Sequence, residues 1–432
     1  MLNRPNTALD ALKPLLAALG KRFGVPALSA PAPQLLLPAP AALNEPTRAE
    51  QFLDIPIPDH SNDDAACQTA QSRGQFLARQ DRWDELSAEI RSADEARDTT
   101  PGGMPIADLL AYGARSDVIH AVEHGLQDNL PVTHSTLTDG ISGLEEVRAE
   151  YPQDPYIAMI VAHMHVDIAW AWRGTNWDPV VPKLNRARFA AHFDRASDIM
   201  QPYCFLELNS PSLAACCCAL LAGKQIPGRR IADTYEDLID LDPHNHRHMR
   251  ALGNHMLPRW FGSYTDLELE ARRTAARTQD IWGAGGYTWV CFDAIAIDDQ
   301  ACANVDVPFF LDGLHDIVAA RPNQEMINLL AAYCAVAMRN GLGLNQDADL
   351  PRMQISDAAS WLIRDHLTEV HPLIWAHAAD GFDNNSRVTS SRRFAARGRA
   401  DALQVIADMF QDEISQGLRV TFTPNGPKLA PG

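Results

Sequence analysis

The sequence predicts an all-α fold, a solenoid of stacked helical hairpins with irregular repeats. Three observations carry this. Apolar residues recur at helical spacing in nearly every segment from about residue 65 onward. Strand-like alternation is almost absent, and one proline-led joint between helices recurs three times.

Composition sets the outer bounds. The chain has 432 residues, 46% apolar and 21% charged, enough to build a sizeable core and too apolar for global disorder. A net charge of −18 argues against nucleic acid or an anionic membrane surface, which clustered Lys and Arg would have to bind. A protein or peptide partner, basic or neutral, is the expectation. Eight cysteines are spread along the chain without a CxxC pair, and Cys216, Cys217 and Cys218 are consecutive within an apolar run. Adjacent helical positions point in different directions, so these read as small core residues in a reducing, cytoplasmic setting. No apolar run approaches the roughly 18 residues that a membrane-spanning helix requires.

Taken in order, residues 1–25 read as an amphipathic helix, with Leu9, Leu12, Leu16, Leu19 and Phe23 at helical spacing. Asp10, Lys13 and Pro14 interrupt what would be the apolar region of a secretory signal. Residues 26–47 form a Pro/Ala linker, extended by nature and separable from the body. Residues 48–416 form the helical domain. GQFLARQDRWDELSAEIRSADEA reads as two helices broken near Asp81, followed by PIADLLAYGARSDVIHAVEHGL and DGISGLEEVRAE. Further helices are expected at about 183–201, 211–223, 229–240, 243–257, 265–281, 308–320, 323–340, 354–369 and 392–415. YTWVCF at 287–292 is the best strand candidate, and the proline-bearing tail 417–432 is expected to fray.

The joint appears in RAEYPQDPYIAMIVAH, EDLIDLDPHNHRHMRAL and LHDIVAARPNQEMINLL. In each, a helix ends and an amphipathic one begins at Pro155, Pro243 or Pro322. Proline suits the first helical position, and Asp154 or Asp242 before it could cap the free amides.

The stretch IADTYEDLIDLDPHNHRHMRALGNHM resembles the tetratricopeptide repeat (TPR). LDPHN matches that family's helix-end turn, Leu252–Gly253 its Leu-Gly pair, and Tyr235 an aromatic of its preceding helix. RGQFLARQDRWDELSAEI echoes the pattern through Gly74, Trp83 and Ile90. The resemblance covers about one and a half repeats, and residues 283–307 depart from it. It implies a TPR-like α-solenoid.

His163-Met-His165-Val-Asp167-Ile-Ala-Trp170-Ala-Trp172 is similar to the HxHxDxAWxW signature of family-38 α-mannosidases. That resemblance implies zinc on His165 and Asp167, at a strand end where residues two apart face one way. The local pattern predicts a helix over 156–172 instead. Ile157, Ile160, Val161, Met164, Ile168 and Ala171 make a continuous stripe after Pro155. On a helix, residues two apart diverge by roughly 200°, so His165 and Asp167 cannot share an ion. No metal or other cofactor is expected.

On that helix His163, Asp167 and Trp170 share a flank beside the apolar stripe. After Pro243, His244, His248 and His255 do the same, and aligning the two prolines sets His255 on Asp167. His244, His246, His248 and His255 are expected on a solvated helix face, with His244 and His248 at chelating spacing but no carboxylate or thiolate close by. Two aromatic-plus-arginine patches follow: Trp170, Trp172, Arg173 and Trp177; and Arg259, Trp260 and Phe261. Arg and Trp dominate interface hot spots. The predicted partner-binding residues are therefore His163, Asp167, Trp170, Arg173, His255, Arg259 and Trp260, lining one groove. The sequence holds no GxSxG, Walker A or nucleophile arrangement, and GAGGY at 283–287 lacks a flanking βαβ pattern. The expected function is non-enzymatic binding of a protein or peptide. The alternatives are a metal-dependent hydrolase using His163, His165 and Asp167, or a structural subunit of a larger assembly.

Overall fold

The computed structural model describes residues 51–174, 180–223, 228–381, 390–424 and 426–431. The expected N-terminal helix, the linker and Trp177 lie outside the described residues. The chain is predominantly helical. The first helices are α1 (Asn62–Arg79), α2 (Trp83–Ala96), α3 (Ile106–Gln127), α4 (Ser135–Glu150), α5 (Pro155–Arg173), α6 (Lys183–Met200) and α7 (Pro211–Leu220). Then come α8 (Gly228–Leu241), α9 (His246–His255), α10 (Tyr264–Arg277), α11 (Gln279–Trp282), α12 (Gly285–Ile297) and α13 (Asp299–Asn304). The last are α14 (Val307–Ala320), α15 (Gln324–Ala332), α16 (Gln346–Asp357), α17 (Ala359–Trp361), α18 (Pro372–Asp380), α19 (Ser391–Met409) and α20 (Gln411–Ser415). Helix α1 lies along α3, α3 along α5 and α5 along α6, and later α9 lies against α12.

The helix starts follow from capping chemistry. Asp154 accepts the amides of Tyr156 (2.9 Å) and Ile157 (3.1 Å), with Pro155 in the first turn, as expected. The other two joints differ from the expectation. Asn245 caps α9 and Asn323 caps α15, so Pro243 and Pro322 stand before the helices rather than at their first positions. Asparagine supplies the side-chain oxygen at both, and at the Pro243 joint it does so in place of Asp242. The break near Asp81 is real: that residue takes a positive φ of 56° between α1 and α2.

Two apolar cores meet at α7. Leu213, Cys216 and Leu220 face the first, built from α1 to α7, while Ala214 and Cys218 face the second, built from α7 onward together with Leu53. Cys216 and Cys218, two positions and roughly 200° apart on the helix, thus serve opposite cores. A polar seam joins the two halves. Asp94 at the end of α2 accepts the Tyr156 hydroxyl (3.0 Å), the Ser212 amide (2.9 Å) and the Ser210 hydroxyl. Arg97 donates to the carbonyls of Asn209 (3.1 Å) and Leu241 (3.3 Å).

Three expectations are corrected. Residues 287–292 are not a strand but part of α12, which is buried nearly all round. With both sides covered, its apolar run shows no 3.6-residue period, and strand and helix look alike in sequence. The helix expected at 354–369 begins earlier, at Gln346, capped by Asn345 and running through Pro351, and ends in a π turn at Leu362–His366. The tail does not fray. β2 (Leu418–Thr423) pairs antiparallel with β3 (Gly426–Pro431) and parallel with β1 (Leu53–Asp54), burying Val420 and Phe422.

Candidate functional site

The site is built where the C-terminal ends of α5 and α9 meet. Helix α5 is almost wholly buried along Pro155–Ala169, which fixes its rotation and leaves one flank at the surface. Along that flank stand His163, Asp167 and Trp170, each half-buried. Gly174 closes the helix with a φ of 68°. Arg173, in the last turn, folds back so that its guanidinium carbon lies 5.4 Å from the Trp170 ring centre and 6.0 Å from that of Trp260. The two indoles meet edge-on, 6.0 Å apart at 83°. One arginine therefore bridges the aromatic residues of two helix ends, each contact of the cation–π kind.

Supporting residues hold the pair. Phe189 and Phe193 of α6 pack edge-on to Trp170 at 5.0 and 6.1 Å. His255 lies edge-on to Trp260 at 6.2 Å, and its Nδ1 is 2.8 Å from the Tyr235 hydroxyl of α8. Burial pushes the His255 pKa down to about 4, so it is neutral near pH 7. Arg259 is exposed beside Trp260. Of the seven predicted residues, Trp170, Arg173, His255 and Trp260 form one contact network, with Arg259 adjacent in sequence.

His163 and Asp167 belong to a different local set. Arg115 of α3 donates to Asp167 Oδ2 at 2.7 Å, with the arginine side chain 9% exposed and the aspartate 33%. Burial, helped by the Arg115 charge, lowers the His163 pKa to about 3. Asp167 thus holds a buried cation in place, and removing it would leave Arg115 uncompensated. The register that set His255 on Asp167 also fails, because α9 starts three residues after its proline and α5 starts on its own.

His165 points the other way. Its Nε2 is 2.9 Å from Glu145 Oε1 and its Nδ1 2.8 Å from His192 Nδ1, while Arg195 grips Glu145 at 2.6 and 2.7 Å. Burial alone would raise Glu145, but the hydrogen bonds from His165 and Arg195 outweigh it and hold its pKa at about 2. His163 and Asp167, beside Arg115, and His165, between Glu145 and His192, consequently belong to two separate sets of partners on one helix. Among the described residues, no three His, Cys, Asp or Glu side chains stand together as a metal set.

The solvated histidine face is also corrected. His246 and His248 are 2% and 8% exposed; only His244 is fully at the surface. His246 packs 4.2 Å from Trp289, and His248 Nε2 sits 3.5 Å from Asp242 Oδ2, a carboxylate the spacing argument had not placed there. His244 precedes α9, so it and His248 do not share a helical face. Sequence reasoning missed Arg115, Phe189, Phe193 and Tyr235. Each arrives from another helix, and no spacing in the sequence marks such long-range partners. Compared with known protein families, curated proteins and solved structures, the chain matches none.

Proposed function

We propose that this protein is a non-enzymatic, cytoplasmic, TPR-like α-solenoid that binds a protein or peptide segment at the rim formed by Trp170, Arg173, His255, Arg259 and Trp260. The observation that carries the reading is the Arg173 guanidinium bridging two half-exposed indoles from different helices. Large rigid aromatics and arginine are the side chains that give most free energy per contact at interfaces. Here the underlying phenylalanines already hold one indole in place, so little ordering cost remains on binding. The aromatic faces suit an apolar side chain of the partner, and Arg173 and Arg259 suit its carbonyl or carboxylate oxygens. The net charge of −18 favours approach by a segment that is not strongly acidic overall.

The TPR-like part of the proposal rests on two glycines. A Cβ on Gly253 would lie 1.8 Å from the Val290 carbonyl oxygen, and one on Gly74 would lie 2.0 Å from that of Leu110. These two of the residues that carry the resemblance sit where helices cross at backbone contact. No helix among the described residues is long and apolar enough to cross a membrane. Peptides selected from a random display library against the intact chain should photo-cross-link to the segments around Trp170 and Trp260. Selected peptides that attach only elsewhere would sink the reading.

A further inference from the structure

We propose that residues 1–25 are an internal ligand of the same chain, docking on the exposed apolar face around α16. Four large apolar side chains lie exposed within twelve residues: Leu342 (38%), Leu344 (76%), Leu350 (59%) and Met353 (47%). On α16, Gln346, Leu350, Met353 and Asp357 follow at i, i+4, i+7 and i+11, so they form one outward stripe. The loop before it is pinned to the helix by the Gly343 amide, which donates to Asp349 Oδ1 at 2.8 Å. Large apolar side chains exposed close together in one segment, two of them on one helical stripe, mark a surface that something covers.

Charge and tether select the occupant. Asp347 and Asp357 are exposed on the patch and Asp349 is half-buried beside it. Two arginines of this stretch are engaged: Arg352 is buried and paired with Asp299 at 2.8 Å, and Arg339 donates to Ser356 Oγ at 2.7 Å. Residues 1–25 carry Arg4, Lys13, Lys21 and Arg22 against Asp10, a net +3, which leaves −18 − 3 = −21 for the rest of the chain. Their Leu9, Leu12, Leu16, Leu19 and Phe23 would share one face in a helix, which is the counterpart an apolar acidic stripe requires. Residues 26–50 then reach about 75 Å at roughly 3.1 Å per residue. A body of this length has a radius of gyration of about 21 Å, so the tether spans it. The chain leaves that body in its C-terminal half. Phe52 accepts the Val420 amide at 2.8 Å, Pro56 accepts the Val370 amide at 2.9 Å, and β3 packs on the π turn that follows α17. A tether within the same chain makes docking intramolecular, at an effective concentration on the order of millimolar, so modest affinity suffices.

The full chain contains five lysines, Lys13, Lys21, Lys183, Lys224 and Lys428, which makes carbodiimide coupling of lysine to carboxylate easy to assign. In the monomer band, Lys13 or Lys21 should couple to Asp347, Asp349 or Asp357. The full-length double variant Leu12→Ser/Leu16→Ser should lose those links by about tenfold or more, since each buried leucine is worth at least the ~1.4 kcal/mol that a tenfold change requires. Leu350→Ser/Met353→Ser, at exposed positions, should do the same with an unchanged melting temperature. Links found only in a dimer band would assign the patch to a second copy and overturn the proposal. Links that persist in both variants, or that never reach 347–357, would overturn it as well.

Discussion

At the residue scale, the histidines carry the account's pH dependence. Burial holds His163 and His192 near a pKa of about 3 and His255 near about 4, against about 6.5 when unfolded. Between those values the unfolded chain binds protons that the folded chain does not, so stability falls as pH drops. It is full above pH 6.5 and is lost progressively toward pH 4 and below, at up to about 1.4 kcal/mol per pH unit for each histidine. Chemical denaturation between pH 7.5 and 5 should show this decline. His255→Gln should flatten the slope by about one proton's worth, and an unchanged slope would show that His255 is already solvated. Glu145 acts lower: held at about 2, it adds stability above its unfolded value that disappears only as pH falls from about 4.5 toward 2. Among these residues, the flank shared by His163, Asp167 and Trp170 was legible, because helical periodicity alone sets it. Their partners were not: Arg115 is 52 residues away from Asp167 in the chain.

At the element scale, close approach is the governing constraint. With the Val290 carbonyl oxygen only 1.8 Å from where a Cβ would stand, Gly253→Ala forces α9 and α12 apart. We expect a loss of about 1–3 kcal/mol, measured as a shifted urea midpoint, with the far-UV signal of the folded state retained. A neutral substitution would mean that the two helices do not cross at backbone contact. Helix identity was readable where one side stays wet, as in α14 and α19, whose apolar stripes follow side-chain caps from Asp306 and Ser390. It failed where that contrast disappears. Helix α12 is covered on both sides, and α16 contains a proline that sequence reasoning takes as a stop. The tail was misjudged because strand pairing with β1 and the burial of Phe422 against Phe410 depend on partners far away in sequence.

At the scale of the whole molecule, two cores joined by α7 make the chain's thiols a probe of integrity. Cys216 and Cys218 face opposite cores, and Cys291, Cys302 and Cys334 lie inside the second, each with its thiol pKa raised by burial. A thiol-exchange reagent added to the native chain should react fast at the exposed Cys204 and slowly at Cys67 and Cys217, releasing the full eight only on unfolding. Fast reaction at Cys216 and Cys218 together would mean that the cores separate at α7. The helical class was visible in the sequence, whereas the bridge that brings two helix ends together depends on how α5, α6 and α9 pack. The claim that this bridge binds a partner is tested most directly by the affinity of a selected peptide for the intact chain and for its Arg259→Ala and Arg173→Ala variants. The account predicts a loss of about 1–3 kcal/mol in each, roughly 5- to 150-fold in Kd, with melting temperatures little changed. Equal affinity for all three proteins, with their stabilities intact, would contradict it.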